Sequence, residues 1–159
     1  MKANSLSHEL ELAKKAAIDS GKFLLKNKQD LNVQTDSDPR DTKLKADIES
    51  ENLIKEIISS NSEYPILAEE SGKSTESLGD TFWVIDPLDG TANFNRDIPI
   101  CCVSIGLIKN MSPVLGVIYD FNNNELYEGS TSLDTSLLNA KNISVSNIDQ
   151  KNEGILITG

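Results

Sequence analysis

The acidic residues that could do chemistry lie around one apolar stretch, residues 83–94. The first half of this stretch is rich in apolar and β-prone residues, which predicts a buried strand. Pro87 has no N–H group to give to a central ladder and is therefore expected to end that strand. Asp86 would then lie at the carboxyl end of the strand, with Asp89 on the turn and Gly90 allowing a tight backbone there.

Thr91 is placed to open a helix directly after this turn. The first N–H groups of a helix have no partner within it and can hold an anion. Two carboxylates beside such a terminus favour a cation, whereas the amide groups favour a phosphate. Magnesium phosphate satisfies both, because Mg²⁺ prefers one or two carboxylates together with water and phosphate oxygens.

The sequence Asp-Pro-Leu-Asp-Gly-Thr, from Asp86 to Thr91, resembles the hallmark Asp-Pro-(Ile/Leu)-Asp-Gly-Thr of the inositol monophosphatase family. The upstream pair Glu69-Glu70 belongs to the same signature, and the similarity runs from about Leu6 to the end of the chain. Haloacid-dehalogenase phosphatases also have an Asp…Asp-Gly-Thr strand end. Their aspartates are two residues apart, however, whereas here the separation is three, so the spacing excludes that family.

The resemblance implies a Mg²⁺-dependent, lithium-sensitive phosphomonoesterase that hydrolyses a small phosphorylated metabolite with a metal-activated water and no phosphoenzyme. The metal ligands it implies are Glu69, Asp86, Asp89 and the Leu88 carbonyl. The residues implied to contact the bound substrate are Glu69, Leu88, Asp89, Gly90 and Thr91. The N–H groups of the last two would hold the phosphate.

The resemblance also implies three catalytic residues. The Thr91 hydroxyl, oriented by Asp47, would position and deprotonate the nucleophilic water, and Glu70 would assist through a second water. Taken alone, Asp47 would be interpreted as a helix N-cap, the Glu69-Glu70 pair as a solvated loop, and Asp86 as a turn residue. These residues occur together in the same order along the chain as in the resembled family, and this favours a metal site.

The charge of the region supports this interpretation. Between residues 61 and 97 only Lys73 and Arg96 oppose eight acids, which are Glu63, Glu69, Glu70, Glu76, Asp80, Asp86, Asp89 and Asp97. If the carboxylates of the motif converge at strand ends, their repulsion raises their pKa values unless a cation neutralises them. Two metals can bind the attacking water and the leaving oxygen of a phosphate ester.

Length and composition exclude several other classes. A chain of 159 residues can bury one ordinary core, and the net charge of −10 argues against a nucleic-acid groove. No apolar run reaches the length of a membrane span, and the N-terminus does not resemble a signal peptide. The adjacent Cys101 and Cys102 are interpreted as reduced thiols, and neither is expected to be a nucleophile. A cytoplasmic protein without nucleic-acid or membrane partners is expected.

The order of elements predicts an α+β fold, a layered α/β sandwich with a mostly antiparallel sheet and two N-terminal helices. The predicted helices span residues 5–28 and 48–60. Strands are predicted at residues 65–68, 83–86, 100–108, 114–119, 125–127, 143–145 and 155–158. Residues 29–42, 71–80 and 130–140 are predicted to be loops or links.

Residues 1–150 are predicted to form an N-terminal metal-binding phosphatase domain, and residues 151–159 the first strand of a truncated C-terminal domain. The apolar strand at residues 155–158 has nothing after it to cover it. In the resembled family the second domain carries a Trp-Asp-x-x-Gly motif whose aspartate binds metal, and this sequence has no such motif. We therefore expect residues 1–159 alone to be a poor enzyme or none.

The favoured substrate is inositol monophosphate, because Asn93-Phe94 resembles that branch of the family more than the bisphosphate nucleotidase branch. The 3′(2′),5′-bisphosphate nucleotidase and histidinol phosphatase branches remain open, since leaving-group contacts lie largely in the second domain. A hypothesis of another class is a truncated, non-catalytic metal- or partner-binding module. The sequence does not fix the oligomeric state, and a homodimer is among the options.

Overall fold

The computed structural model describes residues 6–35, 43–133 and 136–147, which form four helices and eight strands. The helices are α1 Ser7–Lys26, α2 Lys28–Leu31, α3 Lys45–Ser59 and α4 Thr91–Asn95. The strands are β1 Ile66–Ala68, β2 Gly72–Lys73, β3 Thr81–Asp89, β4 Cys102–Lys109, β5 Ser112–Asp120, β6 Glu125–Ser130, β7 Ser136–Leu138 and β8 Lys141–Ile143.

These strands form one sheet in the order β2-β1-β3-β4-β5-β6-β7-β8. Strand β1 runs parallel to β3, and the other neighbouring pairs of the described sheet are antiparallel. Helices α1 and α3 pack against each other and cover one face, with α1 over β4 and β5 and α3 over β3. The predicted α+β fold with two N-terminal helices is therefore confirmed.

The core lies between the two long helices and the sheet. Strand β4 shows the alternation expected when one face is covered, since Val103, Ile105 and Leu107 are buried and the residues between them are half-buried. Helix α1 approaches the sheet closely at Gly21, where a Cβ atom would lie 2.6 Å from the Tyr119 ring. Among the described helices, none combines the length and apolar character needed to cross a bilayer.

One correction concerns the end of β3. Pro87 was expected to end this strand but lies inside it, and Asp89, expected on the turn, is its last residue. The pairing of β3 with β1 stops at Ile85, and the register with β4 shifts between Asp86 and Asp89. The ladder therefore requires no N–H group from Pro87. The proline is tolerated because it occupies an irregular stretch of the strand.

Other boundaries also differ from the prediction. The predicted loop at residues 71–80 contains the short strand β2, which pairs with β1, and α3 begins at Lys45 rather than at residue 48. The predicted loop at residues 29–42 begins with the short helix α2, whose buried Leu31 packs into the core. The predicted link at residues 130–140 contains β7, which pairs with β6 through Leu137 and Leu138. The strand expected at residues 143–145 is observed at Lys141–Ile143. The predicted strand at residues 155–158, and with it the proposed second domain at residues 151–159, lies outside the described residues.

Candidate metal and phosphate site

The turn after β3 has the conformation that its sequence predicts. Gly90 has a φ of +88° and directly precedes α4. A Cβ atom at this position would lie 2.7 Å from the Ile100 carbonyl oxygen, so only glycine fits without displacing the backbone. Thr91 opens the helix as predicted, and the Leu88 N–H donates to Asp86 Oδ1 at 3.1 Å.

The Thr91 hydroxyl contacts Asp47, the residue predicted to orient it. Its oxygen lies 2.7 Å from Asp47 Oδ1 and 3.0 Å from the Leu88 carbonyl oxygen. With a single hydrogen it donates to one of them at a time. The interpretation of Asp47 as an N-cap is corrected, because Asp47 is the third residue of α3 and its Oδ2 accepts the Leu44 N–H at 2.7 Å.

Helix α3 presents a polar stripe to the site. Asp47, Ser50 and Glu51 occupy successive positions on one face of the helix, and all three are buried. The Ser50 hydroxyl donates to the Pro87 carbonyl at 2.8 Å, and Glu51 Oε2 accepts the Glu70 N–H at 2.9 Å. One helix face thus contacts both acidic segments. Sequence reasoning missed Ser50 and Glu51, although the i, i+3, i+4 spacing of polar residues on an otherwise apolar face is a signal that could have found them.

The Glu69-Glu70 pair follows β1 and lies beside the end of β3. The Glu69 N–H donates to the Ile85 carbonyl at 3.2 Å, and the Glu69 side chain hydrogen-bonds with Asp86. Glu70 Oε2 is 2.6 Å from Lys43 Nζ. The structure therefore brings together the predicted residues from both motifs, and it adds a lysine that sequence reasoning did not assign.

The carboxyl groups of this cluster are partly desolvated. Burial raises the pKa of the Asp86 carboxyl, while its hydrogen bond with Glu69 opposes the rise and the charge of Asp89 adds to it. Burial also raises the pKa of Asp47, against the opposing hydrogen bonds from Thr91 and Leu44. Crowded carboxylates of this kind favour a proton or a cation between them.

Asp89 is exposed and faces a cavity of about 460 Å³ that is also lined by Gly90, Asn93, Ile100 and Asp120. Asp89 Oδ2 lies 3.8 Å from the sulfur of Cys102. Burial, followed by the charges of Asp89 and Asp86, raises the pKa of the Cys102 thiol to about 12. Burial raises the pKa of Cys101 too, so both thiols stay protonated near neutral pH and are poor nucleophiles.

The model of the inositol monophosphatase family matches residues 5–159. The chain belongs to this family. It is 38% identical over 153 residues to the inositol-1-monophosphatase of Synechocystis sp., a match that covers 94% of this chain and 53% of that protein. The resemblance inferred from the Asp-Pro-Leu-Asp-Gly-Thr motif is therefore confirmed.

Solved structures of inositol monophosphatase-like proteins share the fold. The inositol monophosphatase from Anabaena (Nostoc) sp. PCC 7120 matches with a TM-score of 0.76 and 36% identity, over 90% of this chain and 51% of that one. The extragenic suppressor protein suhB from Bartonella henselae matches with a TM-score of 0.81 and 29% identity, over 88% and 55% of the two chains. The chain thus spans about half the length of these relatives.

The donor chemistry of this inositol monophosphatase-family site fits a hard divalent cation. The groups gathered at the end of β3 are carboxylates and a carbonyl, the all-oxygen set that Mg²⁺ prefers. Within the part of the chain that the structure describes, no group of three or more His, Cys, Asp or Glu side chains is closed around one metal position. Mg²⁺ usually keeps several waters and needs only one or two carboxylates, so an open arrangement is compatible with it. Glu69, Asp86, Leu88 and Asp89 remain predicted ligands.

Proposed function

We propose that this chain is the N-terminal part of a Mg²⁺-dependent phosphatase that hydrolyses the monoester of a small phosphorylated metabolite. The observation that carries the proposal is the Thr91 hydroxyl, which lies between the Asp47 carboxylate and the Leu88 carbonyl, next to the acidic end of β3. Membership of the inositol monophosphatase family supports it. Bound Mg²⁺, held by Glu69, Asp86, Asp89 and the Leu88 carbonyl, would supply charge neutralisation and a more acidic water.

The protein's own groups would orient the water. When the Thr91 hydroxyl donates to Asp47 Oδ1, its oxygen lone pairs point away from the carboxylate and can accept a hydrogen bond from a water. A proton from that water could then pass to Thr91 as the hydroxyl proton passes to Asp47. Asp47 fixes the hydroxyl in this orientation because its other oxygen is held by the Leu44 N–H. Two hydrogen bonds thus fix the group that must be aligned with the ester, and alignment of this kind lowers the barrier to reaction.

The N–H groups at the start of α4 would hold the phosphate. They directly follow Gly90, which adopts a left-handed conformation between β3 and α4. Glu70 would assist through a second water, and its carboxylate is held by Lys43 in the structure. In this proposal the carboxylates bind the metal and the N-terminus of α4 binds the phosphate.

We propose inositol monophosphate as the substrate. The cavity of about 460 Å³ beside Asp89 is within the usual size range for a small-molecule site. Asp120 at this cavity accepts hydrogen bonds from Asn122 and Asn123, and its Oδ2, with a single such partner, can also accept from a polyol hydroxyl group. The two free cysteines, Cys101 and Cys102, support a reducing compartment, and hence the cytoplasm, as the site of action.

The test is phosphate release by a protein extended to the length of its relatives, with inositol monophosphates, adenosine 3′,5′-bisphosphate and histidinol phosphate as substrates. Asp89→Asn removes one charge without removing volume and should lower turnover by at least about 100-fold, as the loss of one electrostatic group in an active site commonly does. It should also weaken Mg²⁺ binding in calorimetry. Asp80→Asn, at an exposed acid outside the cluster, is the matched control. Unchanged turnover in Asp89→Asn at limiting Mg²⁺ would contradict the proposal.

A further inference from the structure

Glu51 is a buried acid outside the ligand set that the family motif predicts. Its side chain is 4% exposed, on the face of α3 that also carries Asp47. Oε2 accepts the backbone N–H of Glu70 at 2.9 Å, and Oε1 lies 3.5 Å from Lys55 Nζ. The carboxylate therefore contacts the backbone of a predicted catalytic residue rather than its side chain.

Lys55, the partner of Glu51, contacts the next residue of the same turn. Its Nζ donates to the Ser71 hydroxyl at 2.9 Å while it pairs with Glu51. Positions 51 and 55 are one helical turn apart on α3, so the pair holds two successive residues of the turn after β1. The other end of this turn is fixed by the sheet, where the Glu69 N–H donates to the Ile85 carbonyl.

Stability alone does not account for a carboxylate at this place. Burying an ion pair costs desolvation free energy that the attraction between its members often fails to recover. The turn, however, carries two glutamates towards other acids: the Glu69 side chain meets Asp86, and the charge of Glu70 acts on Asp47. Where these carboxylates are ionised and no cation lies between them, their mutual repulsion works against keeping the turn at the end of β3. A hydrogen bond to an ionised acceptor is about twice as strong as a neutral one and opposes displacement of the turn.

We propose that Glu51, paired with Lys55, is a positioning residue that holds the turn carrying Glu69 and Glu70 against the acidic end of β3. Glu51 touches neither the metal nor the substrate in this assignment. It acts through the Glu70 backbone and sets the distance between the two acidic segments. The inference rests on the proposed function, since it assigns Glu51 to the same metal site.

The test compares three variants of the protein extended to the length of its relatives. Glu51→Ala removes both contacts, whereas Glu51→Gln keeps a carbonyl acceptor for the Glu70 N–H and removes the charge. Glu56→Ala, at an exposed glutamate of the same helix, is the matched control. The readouts are the Mg²⁺ dissociation constant from calorimetry, hydrogen exchange at the Glu70 amide, and the urea midpoint of unfolding.

Glu51→Ala should weaken Mg²⁺ binding about 10-fold, in the range found when the group behind a metal ligand is removed, and it should accelerate exchange at the Glu70 amide. Glu51→Gln should restore most of the amide protection and only part of the Mg²⁺ affinity. A purely structural role would lower the urea midpoint without changing the affinity of the folded protein for Mg²⁺.

If Glu51→Ala and Glu51→Gln both bind Mg²⁺ as tightly as the control Glu56→Ala, the assignment is overturned. If Glu51→Ala fails to fold, the Mg²⁺ affinity of Glu51→Gln decides the question. Failure of the proposed function has a different signature. In that case the unaltered protein itself shows neither Mg²⁺ affinity nor phosphate release, while exchange at the Glu70 amide still reports whether Glu51 holds the turn.

Discussion

The two oxygens of the Asp47 carboxylate make different contacts. Oδ2 closes the first turn of α3 by accepting the Leu44 N–H, and Oδ1 accepts the hydrogen of the Thr91 hydroxyl. Asp47 is not the N-cap of α3 but its third residue, and one side chain contacts both the first turn of the helix and the Thr91 hydroxyl. The backbone contact fixes the side-chain rotamer, and the fixed rotamer aims Oδ1 at Thr91.

At the scale of single residues, we predict that Thr91 and Asp47 act as one unit in the protein extended to the length of its relatives. Thr91→Ala should lower turnover by about 100-fold, within the range expected for a group that assists proton transfer, and should leave most of the Mg²⁺ affinity. Asp47→Asn should resemble it, and the double substitution should be little worse than either single one. Comparing the turnover of the unaltered protein, the two single variants and the double variant gives the interaction free energy between the two residues. Additive losses would show that the two residues act independently.

Residue type and order predicted the local part of this site. Asp86, Asp89, Gly90 and Thr91 lie within six residues, so one strand end and one turn fix their arrangement. Glu51 was not predicted, because its partner is 19 residues away, at the Glu70 N–H. A contact of that kind depends on how α3 lies across the sheet, which no local pattern specifies.

Two hairpin turns of the sheet each contain a residue that disfavours the backbone conformation it adopts. The loop between β4 and β5 is Asn110-Met111, with φ values of 50° and 60°, and the loop between β7 and β8 is Asn139-Ala140, with 48° and 62°. Two-residue loops with positive φ at both positions favour Asn-Gly. Asparagine tolerates this region, but methionine and alanine are strained there.

The prediction at the scale of the elements is therefore that Met111→Gly stabilises the fold. Relief of the left-handed strain should exceed the entropy that glycine adds to the unfolded chain and raise the free energy of unfolding by up to ~1 kcal/mol. Ala140→Gly, in a separate hairpin, should add to it. Urea unfolding of each variant measures the change, with Val145→Gly at an exposed residue outside these hairpin loops as the control. A loss of stability in Met111→Gly would contradict the assignment of strain.

The elements predicted best from the sequence have strong internal periodicity. Helix α1 and strand β4 have apolar residues at the spacing typical of a helix and of a strand, which is enough to predict both. Their boundaries differ from the prediction by about two residues. Strand β7 has only three residues, and Leu137 and Leu138 become strand residues by pairing with β6. Its identity therefore depends on a neighbour in the sheet and was missed.

At the scale of the whole molecule, the face of the sheet opposite the helices is open among the described residues. Gly106, Gly116 and Gly129 lie side by side across three strands and form the floor of a groove of about 580 Å³. Apolar side chains border this groove, and Ile118 is 45% exposed. Exposed apolar surface of this kind promotes association.

The prediction on association concerns residues 1–159 alone. The open face should make this chain associate with itself, and Ile118→Lys should weaken the association on the order of tenfold, which corresponds to ~1.4 kcal/mol, because it places a charge in an apolar contact. Leu25→Lys, at a similarly exposed residue on the helical side, should leave association unchanged. Light scattering over a range of concentrations measures both variants, and equal association in the two would exclude the groove as the contact.

The same preparation should be a poor phosphatase beside a protein extended to the length of its relatives. Asp89 is exposed, and the cluster is not closed around a metal in the described residues, so water would screen the charges that must act on the ester. The monomeric fraction of the unaltered short chain is the informative sample, since low turnover there cannot be attributed to aggregation, whereas Ile118 also lines the cavity beside Asp89. Turnover of this monomer comparable to that of the extended protein would show that the 159 residues supply every group the reaction needs.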